Sequence, residues 1–260
     1  MPVAPVIALS HGGGPLPILG DPNHKSIIYS LKNRVPKILG LGTPAQPRAI
    51  VLYNFPEEAY QLKYPAPGEP GVAATIRAAF EEAGLQPQLD DKRGWDHGVF
   101  VPLTLVNPKA DIPVVQLSVL HSEDPTAHLR MGAALARLRA DNIAIIGSGF
   151  ASFHNFATMR AIRSYPPAQF AAFKADSDEW NSALTAALAA GSKESRWNGL
   201  KDWRGMPHAD RMHPPAGGEH FMPLVVCAGA AGEGEETKFY KDEYSGLDIF
   251  TYYWGVEQVE

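Results

Sequence analysis

The stretch Asn142-Ile143-Ala144-Ile145-Ile146, followed at once by Gly147-Ser148-Gly149, decides the fold class. Its apolar residues are largely β-branched and end at glycine, a pattern typical of a strand buried on both faces. Similar runs occur at 6–9, 49–52 and 113–120, and a fifth run at 224–228 is also predicted to be a strand. Strands buried on both faces indicate a parallel sheet covered by helices.

The segments between these runs have the spacing of helices. Apolar residues recur at three- and four-residue steps over 72–83 and over 131–138, Gly84 ends the first of these patterns, and a longer helix is predicted over 168–190. Alternating strands and amphipathic helices predict an α/β fold, with a central, mostly parallel mixed sheet flanked by helices. No linker divides the chain, so residues 1–260 are expected to form a single domain.

Composition excludes several classes of protein. A net charge of −5 and a pI near 6.0 give no positive potential for a polyanion, so no nucleic-acid partner is expected. No apolar run reaches the roughly 18 residues that a membrane helix needs. The single cysteine, Cys227, forms no intrachain disulfide, and the N-terminus lacks the basic and apolar regions of a secretory signal. These features predict a cytoplasmic protein without a membrane partner.

Histidines follow several of the predicted strands, at the sheet edge where α/β proteins bind ligands. His11 stands in Ser10-His11-Gly12-Gly13-Gly14-Pro15 after the first strand, His154 follows the strand over 142–146, and His121 follows the run over 113–120. His220 precedes the run at 224–228, which places it at the opposite edge unless that strand is antiparallel. Its position is therefore ambiguous from the sequence.

The glycine-rich segments also allow other interpretations. The loop after His11 could cradle a phosphate, but it lacks the Lys-Ser/Thr of a P-loop and the spacing of a dinucleotide fingerprint. Gly147-Ser148-Gly149 lacks the third glycine of a nucleotide turn, and Ser148 lacks the Gly-x-Ser-x-Gly context of a hydrolase nucleophile. Nucleotide binding and serine hydrolysis are therefore disfavoured.

Two further segments place histidine beside a carboxylate. Asp96 could raise the basicity of His97 beside it, or the two residues could form a turn in which the aspartate is solvated. His213 and Glu219-His220 lie close together in sequence and could donate one or two metal ligands, or could simply belong to a polar loop. The sequence pattern alone leaves both choices open.

Six ordered blocks of the chain together resemble the class III extradiol ring-cleaving dioxygenases, in particular the 4,5-DOPA dioxygenase-like group. The blocks are Ser10–Pro15, Phe55–Gly68, Asp96–Leu103, Ile112–Ser118, Gly147–Gly149 with His154-Asn155, and Glu219–Leu224. The resemblance implies a single catalytic domain over 1–260 with a non-haem metal in a cleft, Fe(II) being expected and Zn(II) an alternative. The implied partners are a catechol substrate such as L-DOPA and O₂.

The resemblance also implies roles for individual histidines. His11 and His220 would be metal ligands, with His213 in reserve for the place of His220. His154 would be the acid and base that moves protons, since histidine titrates near neutral pH. His97 would be a partner of the ligands or face the substrate. The oligomeric state and the bond cleaved are not indicated.

The chain departs from the family at one important point. Family members usually carry a Ser-Ala-His-Trp type block after the second strand, and its histidine is a metal ligand. Here Arg48–Leu52 passes directly into Tyr53–Glu58, and no histidine lies between His24 and His97. Two imidazoles hold a metal weakly, unless Glu219, His213 or Asp96 supplies a third ligand. Two hypotheses follow: an iron-dependent catechol dioxygenase, and a metal-binding relative that cleaves no ring.

Overall fold

A mixed sheet forms the centre of the molecule. The computed structural model describes residues 3–54 and 64–259. The strands are β1 (Val6–Ser10), β2 (Ala49–Asn54), β3 (Val114–Ser118), β4 (Ile143–Gly149), β5 (Lys238–Tyr244) and β6 (Leu247–Trp254). The strand order in the sheet is β3-β2-β4-β1-β6-β5. The first four strands in this order pair in parallel with their neighbours, while β6 pairs antiparallel with both β1 and β5. The prediction of a mostly parallel mixed sheet in an α/β domain is confirmed.

Helices cover both faces of this sheet. They are α1 (Lys25–Asn33), α2 (Val35–Ile38), α3 (Pro70–Glu82), α4 (His97–Val106), α5 (Pro125–Leu135), α6 (Phe156–Ala161), α7 (Pro167–Leu188), α8 (Lys193–Lys201), α9 (Ala209–Met212) and α10 (Met222–Ala230). The predicted helices over 72–83, 131–138 and 168–190 correspond to α3, α5 and α7, although 3₁₀ geometry replaces the α-helix from Ala136. Within the described residues, none of these helices is both long and apolar enough to cross a bilayer.

The fifth predicted strand is wrong, because residues 224–228 lie within helix α10. All nine residues of α10 are buried, so its sequence shows no polar face that would reveal a helical period. Short apolar runs of this kind do not distinguish a buried strand from a buried helix. Pro223 near its N-terminus and the small residues at its C-terminal end suit a closely packed helix.

The hairpin formed by β5 and β6 was not predicted. β5 alternates buried and exposed residues, and β6 is rich in aromatic and β-branched residues, as expected for strands. Ser245 and Gly246 connect the two strands and both have positive φ, the geometry of a tight hairpin turn. The hairpin extends the sheet beyond β1, which therefore becomes an interior strand.

Candidate active site

The carboxyl ends of β1 and β4 bring two of the predicted histidines together. These strands are neighbours, with Ser10 opposite Gly149, and the His11 N–H donates to the Gly149 carbonyl at 3.1 Å. His11 comes directly after β1, and His154 lies five residues beyond the end of β4. Both imidazoles therefore lie at the sheet edge where α/β folds place their ligand sites.

Glycines in β4 allow α10 to bring His220 to the same edge. A Cβ on Gly149 would lie 2.4 Å from the His220 carbonyl oxygen, and a Cβ on Gly147 would lie 2.5 Å from that of Pro223. No side chain fits in either gap, so close packing explains the Gly-Ser-Gly sequence. The ambiguity over His220 is resolved, because the apolar run after it is a helix that begins at the site.

His97 reaches the cluster as the first residue of α4. The preceding residue, Asp96, is tied to β3, since Gln116 Nε2 donates to Asp96 Oδ2 at 2.9 Å and the Asp96 N–H donates to Gln116 Oε1 at 3.2 Å. The Asp96 carbonyl also accepts the N–H groups of Val99 and Phe100 at 3.0 Å. These bonds fix the start of the helix and with it the position of the His97 ring.

The four imidazoles form one cluster. The ring of His11 lies 5.5 Å from that of His97 and 5.4 Å from that of His220, measured between centroids. His220 in turn stacks on His154 with centroids 3.4 Å apart. Four segments that are distant in sequence thus place imidazoles against one another. Of the nine histidines, these are the four to which the resemblance gave site roles, apart from His213 as the reserve for His220.

Two overlapping groups in this cluster have the geometry of a metal site. The ligand atoms of His11, His97 and His220 lie within 4.8 Å of one another, and so do those of His154, Glu219 and His220. His11 Nδ1 lies 3.0 Å from Ser148 Oγ, while the buried His11 Nε2 has no hydrogen-bond partner among the described residues. A buried imidazole nitrogen without a partner fits a metal ligand, because a metal would compensate its lost hydration.

Burial favours the neutral form of these imidazoles. It is the main cause that lowers the pKa of His11 and His220 well below the ordinary 6.5, and the neighbouring imidazoles lower both further. Burial also lowers the pKa of His97, and it lowers that of His154 to about 4 although Glu219 opposes the shift. Neutral imidazoles carry a free lone pair, which both a metal ligand and a proton acceptor require.

A cavity of about 180 Å³ opens beside the cluster. Its wall combines polar and apolar groups, namely Gly12, Gly13, Gly14, Pro15, His97, His154, Phe156, Met159 and His220. Phe156 is exposed and its ring lies 4.7 Å from that of His154 in an edge-to-face arrangement. An apolar wall with a few convergent polar groups is typical of a site for a small organic molecule.

The glycine loop after His11 is held by a residue to which the sequence assigned no role. His24 Nε2 accepts the N–H of Gly13 at 2.9 Å, and His24 Nδ1 donates to Asp21 Oδ2 at 2.8 Å. Gly12 has φ +84°, and a Cβ there would lie 2.6 Å from the His24 ring. The loop therefore needs glycine in order to fold against His24, and it forms one wall of the cavity.

The remaining histidines lie outside the cluster. His213, the reserve ligand, is buried among Trp180, Trp203 and Phe221 and donates from Nε2 to the Ala151 carbonyl at 2.8 Å. His121 is exposed. His128 is buried and bonded through both ring nitrogens, and His208 pairs with Glu179. The geometry therefore favours His220 over His213 at the cavity.

A comparison with protein families finds a match over residues 30–252 to the catalytic LigB subunit of aromatic ring-opening dioxygenases. The chain belongs to this family. Membership confirms the resemblance seen in the sequence, and it makes extradiol dioxygenase the enzyme class of the chain. Enzymes of the LigB family depend on a metal, for which the histidine cluster offers a place.

Named relatives agree with the LigB assignment. The chain is 57% identical to "Dioxygenase tasH" of Hapsidospora irregularis, over all of this chain and 88% of the relative. It is 40% identical to "4,5-DOPA dioxygenase extradiol" of Beta vulgaris, over 74% of this chain and 68% of that protein. The alignment with the Hapsidospora protein spans 289 positions against 260 residues here, so this chain has gaps relative to it.

The fold also matches a solved structure. A crystal structure of an uncharacterized protein from Escherichia coli K12 superposes with a TM-score of 0.72 and 26% identity, covering 96% of this chain and 99% of that one. The Phe55–Lys63 part of the sequence resemblance lies outside the described residues, so the structure does not test it. The rest of the LigB-like fold is in place around the cluster.

Sequence reasoning missed several residues of the site. Ser148 was weighed only as a nucleophile, yet its buried hydroxyl contacts His11. Phe156 and Met159 on the cavity wall gave no signal beyond their closeness in sequence to His154, and Gln116 was noted only as part of the block Ile112–Ser118, with no role assigned. Contacts between segments distant in sequence, such as Gln116 with Asp96, carry no periodic pattern that could reveal them.

Proposed function

We propose that this LigB-family chain is an iron(II)-dependent dioxygenase that cleaves the ring of an L-DOPA-like catechol with O₂. The observation that carries the proposal is a cluster of four imidazoles, three of which, His97, His154 and His220, line one small cavity with an apolar wall. The family and the names of the relatives support an aromatic substrate.

His11 and His220 are proposed as metal ligands. His11 Nδ1 faces the Ser148 hydroxyl, which leaves Nε2 directed at the cluster, and His220 Nδ1 lies 3.2 Å from Glu219 Oε1. Partners of this kind fix the orientation of a ligating imidazole and raise its basicity. A ferrous ion held by these residues would keep open positions at which it could bind the catechol substrate and O₂.

His154 is proposed to move the protons. Glu219 Oε1 lies 3.8 Å from His154 Nδ1, which favours a proton on that nitrogen and leaves Nε2 to accept one from a catechol hydroxyl. The same nitrogen then returns the proton to an oxygen of the opened ring. Burial lowers the pKa of His154 to about 4, so the ring is neutral and has a lone pair for a proton before substrate binds.

The apolar wall is proposed to orient the substrate ring. Phe156 and Met159 face the cavity beside His154, so an aromatic ring lying against them presents its hydroxyls to the histidines. The glycine loop forms another part of the wall without side chains, which lets the substrate approach the backbone closely.

A second candidate function is metal binding without ring cleavage. The absence of a histidine-bearing block after Leu52 favours this candidate, and so do the gaps in the alignment with the longer Hapsidospora relative. A site that holds its metal with a different ligand set can lose the open positions that the reaction needs.

One experiment separates the two candidates. The chain is purified without oxygen and loaded with Fe(II), and its O₂ consumption and ring-opened product are measured with L-DOPA and with simple catechols. We expect turnover that His154→Ala removes and that His121→Ala, a change at an exposed histidine outside the cluster, leaves intact. One bound iron per chain without O₂ consumption on any catechol would instead establish the second candidate.

A further inference from the structure

We propose that His97 is the third protein ligand to the metal in this chain, in place of the histidine of the missing block. The inference rests on the proposed function only in taking the histidine cluster as the metal site. The resemblance gave His97 a place beside the ligands or facing the substrate. The contacts around the ring indicate a ligand.

The first support is the distance between the donor atoms. One nitrogen from each of His11, His97 and His220 fits within a span of 4.8 Å. Metal–imidazole bonds of about 2.1 Å place two opposed ligands about 4.2 Å apart and adjacent ligands closer together. Small rotations of the three rings therefore bring all three nitrogens onto one ion.

The second support is the arrangement of the rings. The planes of His11 and His97 are 88° apart and those of His11 and His220 are 58° apart, so three rings of different orientation bring their ligand atoms close to one another. His220 and His154 differ by only 18° and lie face to face. Stacked rings direct their nitrogens side by side, which suits ligation of one ion less well than a converging set does.

The third support is that the other candidates for a third ligand are engaged elsewhere. His213 is packed in the aromatic cluster and bonded to the Ala151 carbonyl. The Asp96 carboxylate accepts from Gln116 and lies 3.7 Å from Arg93 Nη2. Glu219 contacts the Nδ1 atoms of both His154 and His220, where it acts as the carboxylate that orients a ligating imidazole.

His97 is also held firmly enough to serve as a ligand. It begins α4 at a point that Asp96 and Gln116 tie to β3, and the residues after it, Gly98 to Leu103, are buried. A ligand on a fixed helix start loses little freedom when it binds a metal. The sequence thus retains three imidazoles at the site although the block after Leu52 is absent.

The test measures metal binding and not turnover. Co(II) and Zn(II) affinities are determined for the full chain and for the variants His97→Ala, His154→Ala, Glu219→Gln and His121→Ala. Removal of an outer hydrogen-bonding partner weakens metal binding by about 10- to 100-fold. We expect His97→Ala to weaken metal binding by more than about 100-fold and Glu219→Gln to weaken it by about 10- to 100-fold. His154→Ala and His121→Ala should have little effect on metal affinity.

X-ray absorption of the unaltered Zn(II) protein gives a second readout that does not depend on any variant folding. Three coordinated imidazoles are expected, and two after His97→Ala. Unchanged metal affinity in His97→Ala would overturn the proposal. Loss of the metal in His154→Ala and Glu219→Gln instead would also overturn it and would place the ion between His154, Glu219 and His220. Metal bound through His97 without ring cleavage would refute the proposed function alone.

Discussion

Ser148 Oγ lies 3.0 Å from His11 Nδ1, and both side chains are completely buried. Ser148→Ala removes this partner and leaves a polar nitrogen unpaired inside the protein, so the ring loses the bond that directs Nε2 at the cluster. We expect metal affinity to fall by about 10- to 100-fold. Isothermal titration with Zn(II) checks the value.

Ser152→Ala is the matched control for this change. Ser152 is also buried, but its hydroxyl accepts the Phe250 N–H at 2.8 Å, on the hairpin strand β6. This control should lose stability without losing metal affinity. Equal effects of the two serine changes on Zn(II) binding would contradict an orienting role for Ser148.

His154→Ala should remove turnover while the metal is retained. His154 stacks on His220 but lies outside the converging set of three imidazoles, and we assign it proton transfer. Loss of a general acid–base group typically lowers the rate by about 10²- to 10⁴-fold. Steady-state rates on catechols, together with metal content per chain, test this prediction. A parallel loss of metal and rate would make His154 a ligand.

Phe156→Ala should weaken substrate binding without affecting stability. The side chain is 63% exposed, so it contributes little to the core, yet it lines the cavity beside His154. An aromatic contact contributes about 0.5–1.5 kcal/mol, which corresponds to a rise in KM of about 2- to 10-fold. Leu89→Ala, at a residue that is 57% exposed and absent from the cavity wall, should change neither KM nor Tm.

The parallel strands and the histidines at their carboxyl ends were predictable from the sequence because local patterns encode them, whereas the order of the strands in the sheet was not predicted. Buried strands and helical spacing are read within a few residues, and His11 and His154 follow strands directly. The helix α10 was not predictable, since a wholly apolar run has the same composition as a buried strand. The place of His97 beside His11 depends on how α4 docks on β3, a long-range contact through Gln116.

Glu235→Gln should destabilise the fold in a pH-dependent way. The buried Arg139 donates from Nη1 and Nη2 to both Glu235 oxygens at 2.6 Å and from Nε to the Ala4 carbonyl at 2.8 Å. Burial alone would raise the pKa of Glu235, but the hydrogen bonds from Arg139 and from the Gly232 N–H, together with the positive charges of Arg139 and Arg196, outweigh it and the pKa is lowered. The variant should lose about 1–3 kcal/mol of unfolding free energy at pH 7.

The direction of the pKa shift sets the pH window for this loss. A carboxylate whose pKa is lowered by folding stabilises the protein above the unfolded value of about 4.3, and that contribution disappears as the pH falls through the lower folded pKa. Urea unfolding should therefore show a difference in unfolding free energy between the unaltered protein and Glu235→Gln, and this difference should become smaller below about pH 4. Glu257→Gln, at a fully exposed partner of Lys238, should show no comparable gap at any pH.

The position at which the chain lacks the family's histidine block, after Leu52, lies within strand β2. β2 continues without interruption through Tyr53 and Asn54, which pair with Leu117 and Ser118 of β3. A version in which a Ser-Ala-His-Trp block and its return strand are inserted between Leu52 and Tyr53 would offer the metal a further imidazole. We expect this version to bind Fe(II) or Zn(II) more tightly than the present chain, because a fourth candidate ligand is available.

The inserted version also separates the roles of His97 and His220. If the new histidine takes the third position, His97→Ala should weaken metal binding strongly in the present chain and only slightly in the inserted version, whereas His220→Ala should weaken it strongly in both. This non-additivity is the signature of two residues that compete for one position. Zn(II) titration of the two chains and their four variants measures it. An equal effect of His97→Ala in both chains would show that the inserted histidine and His97 do not share a ligand position.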